Sequence, residues 1–226
     1  MDSLLVVVFS YNREAMLQSL YNELKGKCDT LIIDDGSDWL KHDIQNLTGV
    51  HSRIIRTIHE GKQGFWKKWL IARQIALATN HDYFLFLPDD VSNVDLNAIN
   101  EIISQGWIDR PFAMTLCNTG ERYRWGKHRP IQADFELAGR TWQQCDYVDG
   151  GFITNRVTLE AIEIDPVPVE WFDRPDKSSG VGYQMTMKLR DIGCPMMLPD
   201  KSLAFHGDHE SVMHNDHRKE TKLITK

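Results

Sequence analysis

The chain opens with continuous apolar runs that alternate with helically spaced ones. Leu4 to Phe9 is unbroken apolar and predicts a strand buried on both faces. A polar turn, Ser10-Tyr11-Asn12-Arg13, follows it. Glu14 to Leu24 then carries Ala15, Leu17, Leu20 and Leu24 at the spacing of one helix face. Thr30 to Ile33 predicts a second strand ending in Asp34-Asp35-Gly36-Ser37, and Arg53 to Ile58 a third, closed by a loop from His59 to Gly64. Phe65 to Ala78 predicts a helix with Phe65, Trp69, Ala72 and Ala76 along one side. The fourth strand is Tyr83-Phe84-Leu85-Phe86-Leu87, stopped by Pro88, Asp89 and Asp90. Continuous apolar strands alternating with helices predict an α/β protein with a mostly parallel sheet covered on both faces. In such sheets ligands bind at the carboxyl ends of the strands, where this pattern collects four polar loops on one edge.

The second half is less regular. Leu96 to Ile103 has a helical pattern and Phe112 to Leu116 predicts a strand. Gly120 to Pro130 is basic and aromatic between Gly and Pro, and Tyr147 to Ile153 is a strand boundary around the pair Gly150-Gly151. Residues 165–180 are rich in Pro, Asp and Ser and predict a long loop. Tyr183 to Asp191 predicts a helix stopped by Gly193 and Pro195, and the chain ends on Phe205 and a His-rich tail. With no linker or internal repeat, residues 1–226 are expected to form a single domain with two functional halves.

Composition narrows the function classes. The net charge of -6 gives no overall basic footprint for nucleic acid or an anionic membrane, although a local patch stays open. No apolar run reaches the roughly 18 residues of a membrane span. The first strand lacks the basic flank of a signal peptide. Cys28, Cys117, Cys145 and Cys194 are widely spaced without C-x-x-C, the usage of reduced thiols in a cytoplasmic protein.

Several signatures are absent. No G-x-G-x-x-G follows the first strand, no G-x-x-x-x-G-K-[ST] occurs, and Asp90 onward lacks the ligand and Gly pattern of an EF-hand. His209 and His214 are one residue too far apart for the zinc-protease motif, whose two histidines share a helix face at i and i+4. Asp89-Asp90 is the pair that stands out. Adjacent carboxylates at a strand end repel unless a positive charge sits between them, and a divalent cation would supply it. A hard cation held by one or two carboxylates and a substrate diphosphate fits Mg²⁺ or Mn²⁺, and an imidazole such as His206 favours Mn²⁺. The bland alternative is that Asp90 caps a helix starting near Ser92.

The segments Val7 to Arg13, Ile32 to Ser37, Gly61 to Ala76, Phe86 to Val91 and Phe205-His206 resemble glycosyltransferases of the GT-A fold, similar to family 2. The resemblance covers the first 91 residues well and the rest in patches. It implies a nucleotide-sugar donor, commonly a UDP-sugar, bound by residues 1–91, with an acceptor-binding half in 92–226. It places Ser10, Tyr11 and Arg13 around the uridine, Asp34 or Asp35 near the base or ribose, and Arg73 close to the nucleotide. Asp89 would face the ribose, Asp90 would hold the metal on the diphosphate, and His206 would be its second protein ligand. Tyr11 as a packing residue and Arg73 as a helix-surface charge are the plainer readings. Lys62 and Arg218 would add positive charge at the phosphates, and the tail Gly207 to Arg218 would fold over the donor as a lid or fray as a terminus.

Two departures from the family pattern stand out. Pro88 occupies the first place of the usual D-x-D motif. The acidic pair expected just before the late helix is replaced by Val181-Gly182, leaving Asp173, Asp176 or Asp149 as the base of an inverting enzyme; a retaining one needs none. The transferred sugar would be a hexose or a pentose. For the acceptor, Arg122 to Arg129 mixes basic and aromatic residues. That suits a solvated loop, a glycan or small-molecule acceptor, or a hydroxylated base in DNA. A nucleotidyltransferase and a non-catalytic sugar- or nucleic-acid-binding module are the alternatives.

Overall fold

The computed structural model describes residues 4–38, 51–117, 135–148, 151–173 and 179–206. Each predicted strand of the first half is present: β1 (Leu4–Ser10), β2 (Asp29–Asp34), β3 (Ser52–Arg56) and β4 (Tyr83–Pro88). All four run parallel, in the order β3-β2-β1-β4, so their carboxyl ends share one edge. Alternate residues of β1 face opposite layers, as the two-residue strand period requires. Val6 and Val8 pack with helix α1 (Glu14–Leu24) and helix α3 (Leu96–Ser104), whereas Leu5 and Val7 pack with Trp69, Ala72 and Ala76 of α2 (Gly61–Leu77).

Beyond β4 the sheet turns mixed. It continues through β9 (Phe152–Asn155), β6 (Ala113–Thr115), β10 (Met196–Pro199), β8 (Arg140–Gln144) and β7 (Phe135–Leu137). β9 is antiparallel to both β4 and β6. α4 (Arg156–Ala161) and α5 (Val181–Asp191) cover this half on the α2 side, burying Leu159 and Leu189. A separate two-stranded ladder pairs β5 (Val91–Ser92) with β11 (Phe205–His206), His206 opposite Val91.

Three sequence expectations change. α2 begins at Gly61, not Phe65, so the expected glycine loop is the first turn of the helix. The cap near Ser92 is not Asp90: Asp95 begins α3, accepting from Ala98 N–H at 3.0 Å. The long loop 165–180 contains a short 3-10 turn, Val169–Asp173. The β7–β8 hairpin and α4 have no counterpart in the sequence reading. No helix among the described residues is long and apolar enough to cross a membrane.

Candidate active site

The four loops at the carboxyl edge are knitted by short-range backbone bonds. Asp35 N–H donates to Ser10 O, Asp89 N–H to Phe9 O, and Thr57 N–H to Asp34 O. Asn12 adopts φ 50°, the left-handed conformation that asparagine tolerates among non-glycine residues. In that conformation its N–H donates to Ser37 Oγ at 2.8 Å and its Oδ1 accepts from Asp38 N–H at 3.0 Å. The turns after β1 and β2 are thereby latched together.

Asp89 and Asp90 lie at the centre of this edge, both buried. Ser10 Oγ donates to Asp89 Oδ2 at 2.8 Å, and Tyr11 N–H donates to the same oxygen at 3.2 Å. Arg13 Nη1 bridges the pair, 3.2 Å from Asp89 Oδ1 and 2.7 Å from Asp90 Oδ2. The positive charge that the adjacent carboxylates require is therefore a guanidinium of this chain. Burial pushes the Asp89 carboxyl from its usual 3.8 up to about 6, against the lowering pull of Arg13 and the Ser10 hydroxyl.

Asp90 divides its two oxygens. Oδ2 belongs to Arg13, while Oδ1 is buried and accepts no hydrogen bond from the described residues. His206 Nε2 lies 3.4 Å from Oδ1, brought there by the β5–β11 ladder. Among the described residues no group of three or more His, Cys, Asp or Glu side chains is placed to hold a metal ion. Asp90 and His206 are two. That set fits a cation that takes its remaining ligands from a substrate diphosphate and water, not a cage built wholly from protein.

On the β2–β3 side, Tyr11 stacks on His59 with ring centroids 3.8 Å apart and planes 3° from parallel. His59 Nδ1 meets Asp35 Oδ2 at 2.9 Å, and Asp35 Oδ1 meets Lys68 Nζ at 3.0 Å. Lys68 is fully buried and also reaches Glu60 Oε2 at 3.4 Å, while Lys67 pairs with Glu60 Oε1. Gly64 makes room for this arrangement, since a Cβ there would sit 2.3 Å from Glu60 Cβ. Asp34 is completely buried; its Oδ2 accepts from Ser37 N–H at 3.0 Å and its Oδ1 accepts no hydrogen bond from the described residues. Burial raises its pKa above the usual carboxylate value, opposed by the Ser37 hydrogen bonds and the Arg56 charge.

The structure therefore gathers Ser10, Tyr11, Arg13, Asp34, Asp35, Asp89, Asp90 and His206 at one edge. Arg13, which the resemblance places around the uridine, contacts both carboxylates. His59 and Lys68 were missed in the sequence. His59 carried a signal, since it follows a predicted strand, whereas a lysine on a helix reads as a surface charge. Lys62, in the first turn of α2, lies 6.0 Å over the ring of Phe172, beside the exposed Asp173. Trp171, the residue before Phe172, and the half-exposed Tyr183 form a tilted ring pair 5.3 Å apart. Arg73 is not brought into the site. Its Nε and Nη2 donate to the carbonyls of Leu159 and Glu160 at 2.9 and 2.7 Å, tying α2 to the end of α4. Asp149, Asp176, Arg218, the basic segment 122–129 and the tail from Gly207 lie outside the described residues.

No family model matches the chain, and no curated protein sequence matches it. Solved structures do. TarS residues 1–349 of S. aureus in complex with UDP-GlcNAc aligns with TM-score 0.60 at 14% identity, covering 95% of this chain and 61% of that one. Glucosyl-3-phosphoglycerate synthase from Mycobacterium tuberculosis, in complex with Mn²⁺, UDP and glucosyl-3-phosphoglycerate, aligns with TM-score 0.55 at 13% identity over 92% of this chain and 73% of that one. The same enzyme with Mn²⁺, UDP-glucose and phosphoglyceric acid gives TM-score 0.55 at 15% identity, with 92% and 72% covered. The chain thus spans less than two-thirds of the TarS fragment's length. With these neighbours, and with a sheet that is parallel through its N-terminal half, the chain has the GT-A fold.

Proposed function

We propose that this chain is a metal-dependent glycosyltransferase that moves a sugar from a UDP-sugar to a hydroxyl acceptor. The observation that carries the reading is Asp90: a buried carboxylate with one oxygen accepting no hydrogen bond, facing His206 Nε2 at 3.4 Å on the ligand-binding edge of a GT-A sheet. Asp90 and His206 would hold Mn²⁺ or Mg²⁺, which when bound acts as a Lewis acid on the departing diphosphate. Asp89, fixed by Ser10, Tyr11 N–H and Arg13, presents its carboxylate to the ribose. Tyr11 and Asp35 form the wall for the base, with the Tyr11 ring as its stacking face, and the buried Asp34 supports that wall from behind through its bond from Ser37 N–H. Lys62, and Arg218 from the tail, bring positive charge to the phosphates.

The acceptor is a glycan or a small hydroxylated molecule. The ring pair of Tyr183 with Trp171, the residue before the Phe172 that packs under Lys62, supports this, because aromatic faces stack on sugar rings. If the reaction inverts configuration, the acceptor proton goes to Asp173, Asp176 or Asp149.

The test is UDP release and sugar transfer from a panel of UDP-sugars with Mn²⁺, for wild type and Asp90→Asn, with mass spectrometry of candidate glycans and of hydroxymethylated DNA. We expect Mn²⁺-dependent turnover that falls roughly 100-fold or more in Asp90→Asn, the scale set by losing one key electrostatic group. Turnover surviving in Asp90→Asn would overturn the role given to that residue. Labelled product on DNA alone would replace the glycan acceptor with a base. Nucleotidyl transfer in place of glycosyl transfer, or no response to any nucleotide-sugar, would refute the reading.

A further inference from the structure

We infer that Arg13 is the resident counter-cation of the carboxylate pair, so that the site takes up a free divalent ion only weakly and receives its metal together with the nucleotide. The inference rests on the function proposed above. Three observations carry it. Asp89 and Asp90 are buried, where electrostatic interactions are screened far less than at the surface. A single guanidinium nitrogen of Arg13 contacts both, at 3.2 and 2.7 Å, and thereby neutralises one of two charges. His206 Nε2 lies 3.4 Å from Asp90 Oδ1, the oxygen of the pair that Arg13 does not hold.

What remains for a metal is one oxygen, Asp90 Oδ1, opposite His206. A free dication approaching it meets the Arg13 charge a few ångströms away, and that repulsion weakens binding. A nucleoside diphosphate reverses the balance. Its phosphate oxygens supply both the missing ligands and the negative charge that offsets the guanidinium. Arg13 need not leave, because it holds Oδ2 and the metal would use Oδ1. Metal and nucleotide affinities are then coupled, each strengthening the other by the same factor.

The experiment titrates Mn²⁺ by electron paramagnetic resonance into wild type, Arg13→Met, Arg13→Lys and Asp90→Asn, each with and without UDP. Wild type should bind Mn²⁺ alone weakly and at least tenfold more tightly with UDP. Arg13→Met should bind Mn²⁺ alone at least tenfold more tightly than wild type, with a correspondingly smaller effect of UDP, and Arg13→Lys should stay near wild type. Mn²⁺ alone should also raise the melting temperature of Arg13→Met more than that of wild type, which keeps the test valid where the variant is destabilised. Free Mn²⁺ binding in Arg13→Met no tighter than in wild type overturns the inference. If Asp90→Asn abolishes Mn²⁺ binding in the presence of UDP while Arg13→Met changes nothing, the inference fails and the metal reading stands. If Asp90→Asn leaves Mn²⁺ binding intact, both fail.

Discussion

Asp34 ends β2 with no exposed surface, one oxygen on Ser37 N–H and the other accepting no hydrogen bond. Because burial raises its pKa above 3.8, the native state keeps the proton to higher pH than the unfolded chain does. The stability this group contributes is fully present below its unfolded pKa and is lost as pH rises through the folded value. Asp34→Asn keeps the acceptor oxygen and removes the charge. Thermal melts of the nucleotide-free protein should therefore show the variant gaining on wild type as pH rises above the ordinary carboxylate value. Arg73 makes the opposite case, a residue that the family resemblance sends to the nucleotide and the structure gives to two carbonyls of α4. Arg73→Met should lower stability by about 1–3 kcal/mol in urea denaturation, the cost of leaving those acceptors unpaired. UDP affinity by calorimetry should stay within about twofold, so a loss beyond tenfold (about 1.4 kcal/mol) would return Arg73 to the site.

At the level of elements, the loops after β1, β2 and β3 behave as one unit, and Gly36 is where they meet. It adopts φ +77°, and a Cβ there would lie 2.9 Å from the backbone nitrogen of His59. Gly36→Ala combines left-handed strain with a backbone clash, and should destabilise by about 2 kcal/mol or more. It should also weaken UDP binding, since the clash displaces the residue that stacks on Tyr11; unchanged affinity on calorimetry would disconnect His59 from the donor. Strands β1, β2 and β4 were legible in the sequence because burial on both faces makes each an unbroken apolar run. β7 and β8 were not, because Phe135–Leu137 and Arg140–Gln144 mix polar and apolar residues, with the tight turn set by Ala138 and Gly139 at φ 54° and 65°. β5 and β11 are two residues each, too short for any period to show. The acidic half of the site could be read from strand ends, whereas of its cationic half Arg13 was legible only through the family resemblance and Lys68 not at all: the contacts of both with the carboxylates appear only in the fold.

Across the whole molecule, β4 is the seam, parallel to β1 on one side and antiparallel to β9 on the other. The frame around β1 holds Asp89 through bonds to Ser10, Tyr11 and Arg13, all within the first 90 residues. Asp90 meets its other neighbour, His206, only across β5–β11, a separation of 206 - 90 = 116 residues. Contacts this distant in sequence close slowly, because the loop entropy is lost before the contact forms. The site should therefore assemble in two stages during refolding. Stopped-flow experiments should recover UDP binding with the parallel frame first, and the Mn²⁺ response later, when the last strand docks. Simultaneous recovery would place β11 in the folding nucleus. On the proposed function, the two-residue ladder that carries His206 would act as a kinetic checkpoint: a newly made chain would hold a nucleotide before it could use it.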